Sequence, residues 1–569
     1  MTPAALSPAA RATALTRVTS GQFDVVVVGG GVVGAGVALD AATRGLSVAL
    51  FEARDWAAGT SSRSSKLIHG GLRYLEMLNF RLVREALRER SLLIRRLAPH
   101  LVQPVKFLYP LTHRGWERLY VGAGLVLYDT MGLSARNGRG LPRHRHLSRS
   151  GALRLVPSLR RQALVGAVTY YDGQVDDARH TMALVRTAAS HGANVVSGAR
   201  VVAFLRDGER VTGVKVRDIE SGNEFEVRAE HVVNATGVWT DETQALAGDR
   251  GQIHVRASKG VHLVVPKDRI DSRTGLILRT EESVLFVIPW GRHWIIGTTD
   301  TDWTLDKTHP AASRTDIDYL LEQVNRVLQT PLTRDDVQGV YAGLRPLLSG
   351  ESERTSKLSR EHTVAWPLPG LVVVAGGKYT TYRVMAKDAV DAVVAQRPGP
   401  SPRCRTHRVP LVGAEDFATL WHDRHELAAA YGLPLAGVEH LLRRHGTLVH
   451  EVLELIAADA SLAERLAGCD DYLRAEVMYA ATHEGARHLE DVLTRRTRIS
   501  IETFDRGVTA APVAAALMGP VLGWSRDQLT REVELYLARV AAERRSQDQP
   551  DDGSADTARR RAPDIAPTS

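Results

Sequence analysis

Residues Asp24 to Glu52 read DVVVVGGGVVGAGVALDAATRGLSVALFE. Val25–Val28 is an apolar run with the length of a buried parallel strand. Gly29-x-Gly31-x-x-Gly34 follows, then an alanine-rich helical run that breaks at Gly45. A second apolar run, Leu46–Phe51, ends in Glu52. The pattern predicts a strand–turn–helix–strand unit that binds a dinucleotide. In such a unit Gly29 permits the tight turn, Gly31 lets a pyrophosphate approach the backbone, and Gly34 lets helix pack closely on strand. The helix N-terminus faces the phosphates. Glu52 stands at the distance where an acid accepts hydrogen bonds from a ribose diol.

The chain has 569 residues, more than one ordinary core holds, so two or three domains are expected. Two cysteines, Cys404 and Cys469, point to a reducing compartment and exclude a disulfide scaffold or a cysteine-rich metal centre. Residues 1–22 have no apolar block and read as a loose tail rather than a signal peptide. No apolar stretch has the length of a membrane-spanning helix. The net charge of +8 is concentrated. Between Thr130 and Tyr171 there are arginines at 136, 139, 143, 145, 149, 154, 160 and 161 and no acid or lysine. Without those eight, 65 basic residues face 65 acidic ones. A single basic patch suggests an anionic surface rather than nucleic acid.

After Glu52 the loop GTSSRSSKLIHGGLRYLE, residues 59–76, is dense in hydroxyls and glycines and carries Arg63, Lys66, His69 and Arg73. It offers donors to an anionic ligand. Phe80, Val83, Leu87, Ile94 and Leu97 fall on one helical face within 77–98. Residues 104–133 mix aromatics with an uncharged run, Leu119–Tyr128. A helical pattern spans Val175 to Ala193, and the runs around Asp207-Gly208 read as a hairpin. The next run ends at Asn234-Ala235-Thr236-Gly237. Residues 253–300 are strand-rich. Residues 371–390, LVVVAGGKYTTYRVMAKDAV, form a second strand–glycine turn–helix, with Lys378 just past Gly376-Gly377. Prolines 398, 400 and 402 mark a linker, 412–543 reads as helices, and the polar stretch from Ser546 is expected to be disordered.

The N-terminal GxGxxG with its acid, the mid-chain NATGxW and the late GGK turn together resemble the flavoproteins related to D-amino-acid oxidase. SSRSSKLIHGGLRYLE, KGVHLVVP, GTTD, AGLRPL, GGKYTTYR and ATHEGARHLEDVLTRRTRIS narrow the likeness. From about Phe23 to about Val540 the chain is similar to the FAD-dependent, quinone-linked glycerol-3-phosphate dehydrogenases. The resemblance implies an α/β fold: a Rossmann-like FAD-binding domain (about 23–100, 172–252 and 355–397) interleaved with a β-rich substrate domain (about 101–171 and 253–354). A linker at 398–411 and an all-α domain at 412–543 follow, between a flexible tail, 1–22, and a disordered one, 546–569. It implies oxidation of sn-glycerol 3-phosphate to dihydroxyacetone phosphate, with FAD as cofactor and a membrane quinone as acceptor. It further implies a cytoplasmic protein attached peripherally to the anionic inner face of the membrane, and it allows a homodimer. The positions matching the family's substrate site are Arg73, Tyr74, His262, Arg345, Arg360 and Lys378. The cofactor positions are Gly29, Gly30, Gly31, Gly34, Glu52, Thr60, Ser61, Ser62, Ser65, Lys66, Leu67, Ala235, Thr236, Gly237, Gly376, Gly377 and Lys378.

Oxidising a secondary alcohol requires a hydride acceptor and a proton acceptor. His262 is the first candidate for the base, although its alternation with Val261 and Leu263 also fits an ordinary sheet residue. A phosphomonoester is best held by guanidinium groups and a helix N-terminus. Arg73, Arg345, Arg360 and Lys378 lie in glycine- or turn-rich stretches that favour ligand contact. At a helix start a cation is poorly placed for structure, so Lys378 points to flavin or substrate oxygens. His262, Arg345 and Lys378 are thus the catalytic candidates. His483, Glu484 and His488 have HExxxH spacing, which keeps the histidines off one helix face, so they read as structural and no metal is expected. Two other readings remain: an oxidase that uses oxygen, and a non-catalytic flavoprotein binding partners through its helical domain. Trp116, Tyr120 and the arginines that follow suit a membrane interface.

Overall fold

The computed structural model describes residues 3–71, 79–113, 115–133, 141–248, 253–280, 284–349 and 361–564. Its strands form two sheets. The first contains β1 (Gln22–Val28), β2 (Val48–Glu52), β7 (Asn194–Ser197), β8 (Ala199–Asp207), β9 (Arg210–Asp218), β10 (Glu224–Asn234), β17 (His362–Leu368) and β18 (Leu371–Gly376). The order β18-β10-β1-β2-β7 is parallel throughout, with Val25 opposite Val48 and His231. The valine run is central because both faces are covered. Val25 and Val27 share a core with the helices Val32–Thr43, Asp177–Ser190 and Tyr382–Val394. Val26 and Val28 share one with the β8–β9 hairpin and the helix Pro8–Ser20.

The second sheet contains β3 (Leu67–Ile68), β4 (Val102–Leu111), β5 (Arg145–Ser148), β6 (Gly166–Val175), β11 (Val255–Pro266), β12 (Gly275–Arg279), β13 (Val284–Trp290), β14 (His293–Gly297), β15 (Thr301–Trp303) and β16 (Gly339–Leu348). It is antiparallel except where β12 lies beside β4. β11 pairs with both β14 and β16, which sets His262 between Gly297 and Tyr341. Val261, Leu263 and Val265 enter the core beneath this sheet. His262 therefore faces the opposite side, where the carboxyl ends of the parallel strands open into a cavity of about 1290 Å³.

The helices from Phe417 to Gln547 pack as a third unit. Charge fastens it to the first sheet. Arg495 Nε and Arg496 Nη1 donate to Asp55 at 2.5 and 2.7 Å, and Arg179 Nη1 donates to Glu484 at 2.5 Å. All five side chains are nearly fully buried. Such pairs persist only because several hydrogen bonds compensate the lost hydration. Glu484 is thus spoken for by Arg179, while His488 bonds Glu532 and lies 3.3 Å from Glu220.

Both chain ends correct the sequence reading. The tail expected at 1–22 forms the helix Pro8–Ser20, capped by Ser7, with Val18 buried and Arg11 paired to Asp218 at 2.6 Å. The tail expected to be disordered from Ser546 continues to Gln547 and then forms the helix Asp552–Arg559. Asp552 bonds the fully buried Lys259, and Ala555 is fully buried beside Leu344 and Trp303. Ala14, Leu15 and Val18 make a short apolar face on the first helix, whereas the second is held by its cap, its ion pair and small alanines.

Candidate functional site

The cavity's first half is built by the ends of β1, β2, β10 and β18. At the glycine turn, a Cβ on Gly34 would stand 1.9 Å from the Gly29 carbonyl oxygen, so helix and strand close only with glycine there. Gly31 differs: its Cβ would meet only Ser61 Oγ, at 3.1 Å, and otherwise projects into the cavity. Gly30 lies behind the lining, where its N–H donates to Glu52 at 2.7 Å and a Cβ would strike Trp56. Glu52 accepts a second bond from Arg54 N at 2.8 Å. Burial holds its carboxyl above the usual range while the side chain still lines the cavity.

The loop after β2 is pinned to this turn, since Val32 N donates to Ser61 Oγ at 2.9 Å. Thr60, Ser61, Ser65 and Leu67 line the cavity, and Thr60 Oγ1 donates to the Leu344 carbonyl at 2.6 Å. Ser62 and Lys66 do not line it. Lys66 is fully buried, its Nζ donating to Asp177 Oδ1 at 2.9 Å and to the Ser62 carbonyl at 3.2 Å. Its backbone groups are taken by Ser64 Oγ and Val175 N. The two residues expected to face a cofactor instead brace the loop behind it. Ala235, Thr236 and Gly237 follow β10 along the cavity, and Gly376, Gly377 and Lys378 follow β18.

His262, Arg345 and Lys378 all line the same cavity. The His262 ring stacks on Tyr341, with centroids 4.7 Å apart and planes at 9°, and Ser65 Oγ lies 2.8 Å from Nε2. Nδ1 is buried with no hydrogen-bond partner among the described residues. Burial first, then the cations of Arg345 and Lys66, hold the imidazole well below its ordinary pKa. It stays neutral at physiological pH. Arg345 is aimed by Thr298 Oγ1 and the Thr299 carbonyl, 3.0 and 3.1 Å from Nη2, with Asp300 3.4 Å from Nη1. Gly260 makes room for this guanidinium, because a Cβ there would stand 2.5 Å from Nη2. Arg73, Tyr74 and Arg360 lie outside the described residues.

Three lining residues, Arg63, His69 and Trp239, stand outside the substrate and cofactor positions that the resemblance implies, although the first two are among the donors of the 59–76 loop. Arg63 donates to the Thr308 carbonyl at 3.3 Å, as Arg54 does at 3.4 Å. Burial and the neighbouring Arg54 cation push Arg63 down to about 9. An anion at this end relieves that repulsion, which fits a pyrophosphate. His69, beside the late glycine turn through Thr380, is pushed down to about 4 by burial. Both stand in the hydroxyl-rich loop, where composition shows donors but not their direction. Trp239, three residues beyond Thr236, covers Gly59.

The second half of the cavity is apolar. Tyr109, Leu127, Tyr170 and Phe286 line it, and so do Phe80 and Tyr120, which are 42% and 51% exposed. The cavity therefore reaches the surface beside the helix Trp116–Leu133. That helix buries Leu125 and Tyr128 and exposes Trp116, Leu119, Tyr120 and Val126 along one face. No helix among the described residues is long and apolar enough to cross a membrane.

Residues 24–392 match the family model described as FAD dependent oxidoreductase, and residues 404–529 match that for the C-terminal domain of alpha-glycerophosphate oxidase. Glycerol-3-phosphate dehydrogenase 2 of Mycobacterium tuberculosis is 59% identical over 561 residues, 99% of this chain and 95% of that one. The mitochondrial glycerol-3-phosphate dehydrogenase of Homo sapiens is 36% identical over 94% of this chain and 75% of its own. Among solved structures, glycerol-3-phosphate dehydrogenase from Bacillus halodurans complexed with FAD superposes with a TM-score of 0.78 at 28% identity. It covers 94% of this chain and 98% of that one.

Proposed function

This chain belongs to the FAD-dependent glycerol-3-phosphate dehydrogenases, and from that premise we propose which of its residues act and where its electrons go. The glycine turn and the start of the helix Val32–Thr43 hold the FAD pyrophosphate, with Arg63 close by. Glu52 holds the ribose. Thr60, Ser61, Ser65, Leu67, Ala235–Gly237 and Gly376–Gly377 border the rest of the cofactor. Bound there, FAD supplies the acceptor for the hydride from C2 of sn-glycerol 3-phosphate. Arg345 and Lys378, with Arg73, Tyr74 and Arg360, hold the substrate phosphate. His262 takes the C2 hydroxyl proton at Nε2 by way of the Ser65 hydroxyl, which lines the cavity 2.8 Å from that nitrogen and hands on its own proton as it receives the substrate's.

Arg345 carries a direct prediction. Arg345→Ala lowers kcat/KM for glycerol 3-phosphate by about 2–4 kcal/mol, mostly through KM, because a charged pair with the phosphate is lost. Glycerol, lacking the phosphate, is equally poor for both proteins. Steady-state kinetics with both alcohols decide it, and an unchanged preference for the phosphorylated one removes Arg345 from the site.

Electrons pass to a lipid-soluble quinone at a membrane surface. The observation that carries this is the apolar half of the cavity, whose mouth lies between Phe80 and Tyr120 on the face that exposes Trp116 and Leu119. Apolar and aromatic residues on one helix face suit the interface plane. Arg143 and Arg145 flank His144, which bonds Asp129 of the same helix at 2.7 Å, and His146, which packs on Gly122. Each such cation adds about 1 kcal/mol near an anionic surface. Of the other arginines in this segment, Arg149 and Arg160 are tied to the carbonyls of Leu164 and Leu328, and Arg136 and Arg139 lie outside the described residues.

Sedimentation with anionic vesicles tests this reading. A variant with Trp116→Ser, Leu119→Gln, Val126→Gln, Arg143→Gln and Arg145→Gln is expected to stay in the supernatant while the wild type pellets. Raising the salt should release part of the wild type. The variant should keep dye-linked activity and lose turnover with vesicle-borne quinone. Equal pelleting places the attachment elsewhere, and stoichiometric peroxide without quinone favours oxygen as acceptor.

A further inference from the structure

His262 is held by contacts whose origin lies far from the cavity. Tyr341 stacks on the ring, Ser65 Oγ meets Nε2, and Gly297 packs so closely that a Cβ there would stand 2.3 Å from Cδ2. The first two depend on one loop. Ser65 belongs to it, and the Tyr341 hydroxyl donates to the Ser64 carbonyl at 2.9 Å. Residues Ser62 to Lys66 leave the short 310 turn Thr60–Ser62, and Lys66 stands in the left-handed region with φ +57°. Charge, not repetitive backbone bonding, fixes this shape.

Asp177 is the first anchor. Its Oδ2 accepts Ser64 N at 2.9 Å and Ser64 Oγ at 2.7 Å, and its Oδ1 accepts Lys66 Nζ at 2.9 Å. Arg498 is the second, and it comes from the helical part of the chain. Nη2 donates to Asp177 and, at 2.5 Å, to Asp176, while Nη1 donates to the Ser62 carbonyl at 3.1 Å. Arg498 is 2% exposed, and neither it nor Asp177 lines the cavity.

We propose that Arg498 is a positioning residue for substrate oxidation: through Asp177 and the loop Ser62–Lys66 it sets Ser65 and Tyr341 against His262. The proposal rests on the reading of His262 as the base. A guanidinium reaches the two carboxylates and the carbonyl together because its donors are fixed in a plane, and an ammonium at the same place does not. When the anchor slackens, the loop shifts and the imidazole moves with it. Misplacement of a reacting group by about 1 Å costs on the order of 100-fold in rate.

The test compares Arg498→Lys with the wild-type holoenzyme in anaerobic stopped flow, reading flavin absorbance on mixing with glycerol 3-phosphate. Flavin content and melting serve as controls. Arg498→Lys is expected to keep FAD and to reduce it about 100-fold more slowly at saturating substrate. KM should move little, since Arg345 and Lys378 stand on other elements. The acid limb of kcat/KM should move up toward an ordinary histidine, because water reaches a ring that Tyr341, Ser65, Gly297, Lys66 and Arg345 otherwise enclose. A merely structural role lowers the melting temperature and leaves that limb in place. Should Arg498→Lys fail to fold, Tyr341→Phe decides, because it deletes one hydroxyl bond to the same loop and keeps the stack. It must shift the limb in the same direction with a smaller loss of rate. A folded Arg498→Lys with wild-type rate and limb overturns the proposal, as does an unshifted Tyr341→Phe. His262→Gln separates the two readings: if it reduces flavin at the wild-type rate, the base assignment fails, and if it alone is slow, only the positioning role of Arg498 fails.

Discussion

Gly31→Val is expected to give a folded protein that contains no FAD and oxidises no glycerol 3-phosphate. The backbone at Gly31 has φ −79°, open to any residue, and among the described residues a Cβ there meets only the rotatable Ser61 hydroxyl. The valine methyls therefore fill cavity space rather than protein space, where a pyrophosphate would meet the chain. Flavin absorbance per protein should fall to background. The melting temperature should match that of the wild type stripped of cofactor, since a lost ligand removes its own stabilisation. Gly34→Ala is the contrast, for its Cβ clashes with the Gly29 carbonyl and should cost about 1–3 kcal/mol or more as overpacking whether or not FAD is present. Full flavin content in Gly31→Val would remove this turn from the cofactor site.

His262→Gln is expected to slow flavin reduction by about 10²–10⁴-fold, the usual worth of a positioned general base. Glutamine keeps a polar end toward Ser65 but takes no proton. The pH dependence follows from the cause of the shift. Burial, with Arg345 and Lys66, lowers the imidazole pKa well below 6.5 in the folded protein, so protonation, and loss of the base, begins only well below that value. The kcat/KM profile of the free enzyme should accordingly stay level as pH falls through 6.5 and drop further down. Arg345→Ala removes the stronger of the two cationic influences, so its acid limb should move toward 6.5. A wild-type profile that breaks at 6.5 or above, or a His262→Gln variant at full rate, assigns the proton to another group.

The first nucleotide-binding unit was legible because local rules sufficed. A run of valines, glycines at fixed spacing and an acid at the second strand's end each carry their meaning within 29 residues. His262 was legible through the resemblance; its alternation with Val261 and Leu263 fits an ordinary sheet residue equally well, since a period of two only puts neighbours on opposite faces. Lys66 was not. In a hydroxyl-rich loop a lysine looks like a ligand donor, and only the fold brings Asp177 to it from 111 residues away. The helix Trp116–Leu133 hid for a different reason: it is apolar on both its buried and its exposed faces, so no periodic contrast marks it. The two end segments carry only short apolar faces, Ala14, Leu15 and Val18 in one and alanines in the other, and their charged partners, Asp218 for Arg11 and Lys259 for Asp552, lie far along the chain.

The buried ion pairs between Asp55 and the arginines at 495 and 496 also bear on biosynthesis. These partners are 440 and 441 residues apart in sequence. At roughly 5–20 residues per second, about 20–90 s separate the emergence of Asp55 from the ribosome and that of the cations that neutralise it. Through that interval the nascent first sheet carries a carboxylate that cannot be enclosed, and the loop it borders cannot close. Enclosure of Asp55, and with it the settling of the loop after the second strand, thus waits until Arg495 and Arg496 have been made.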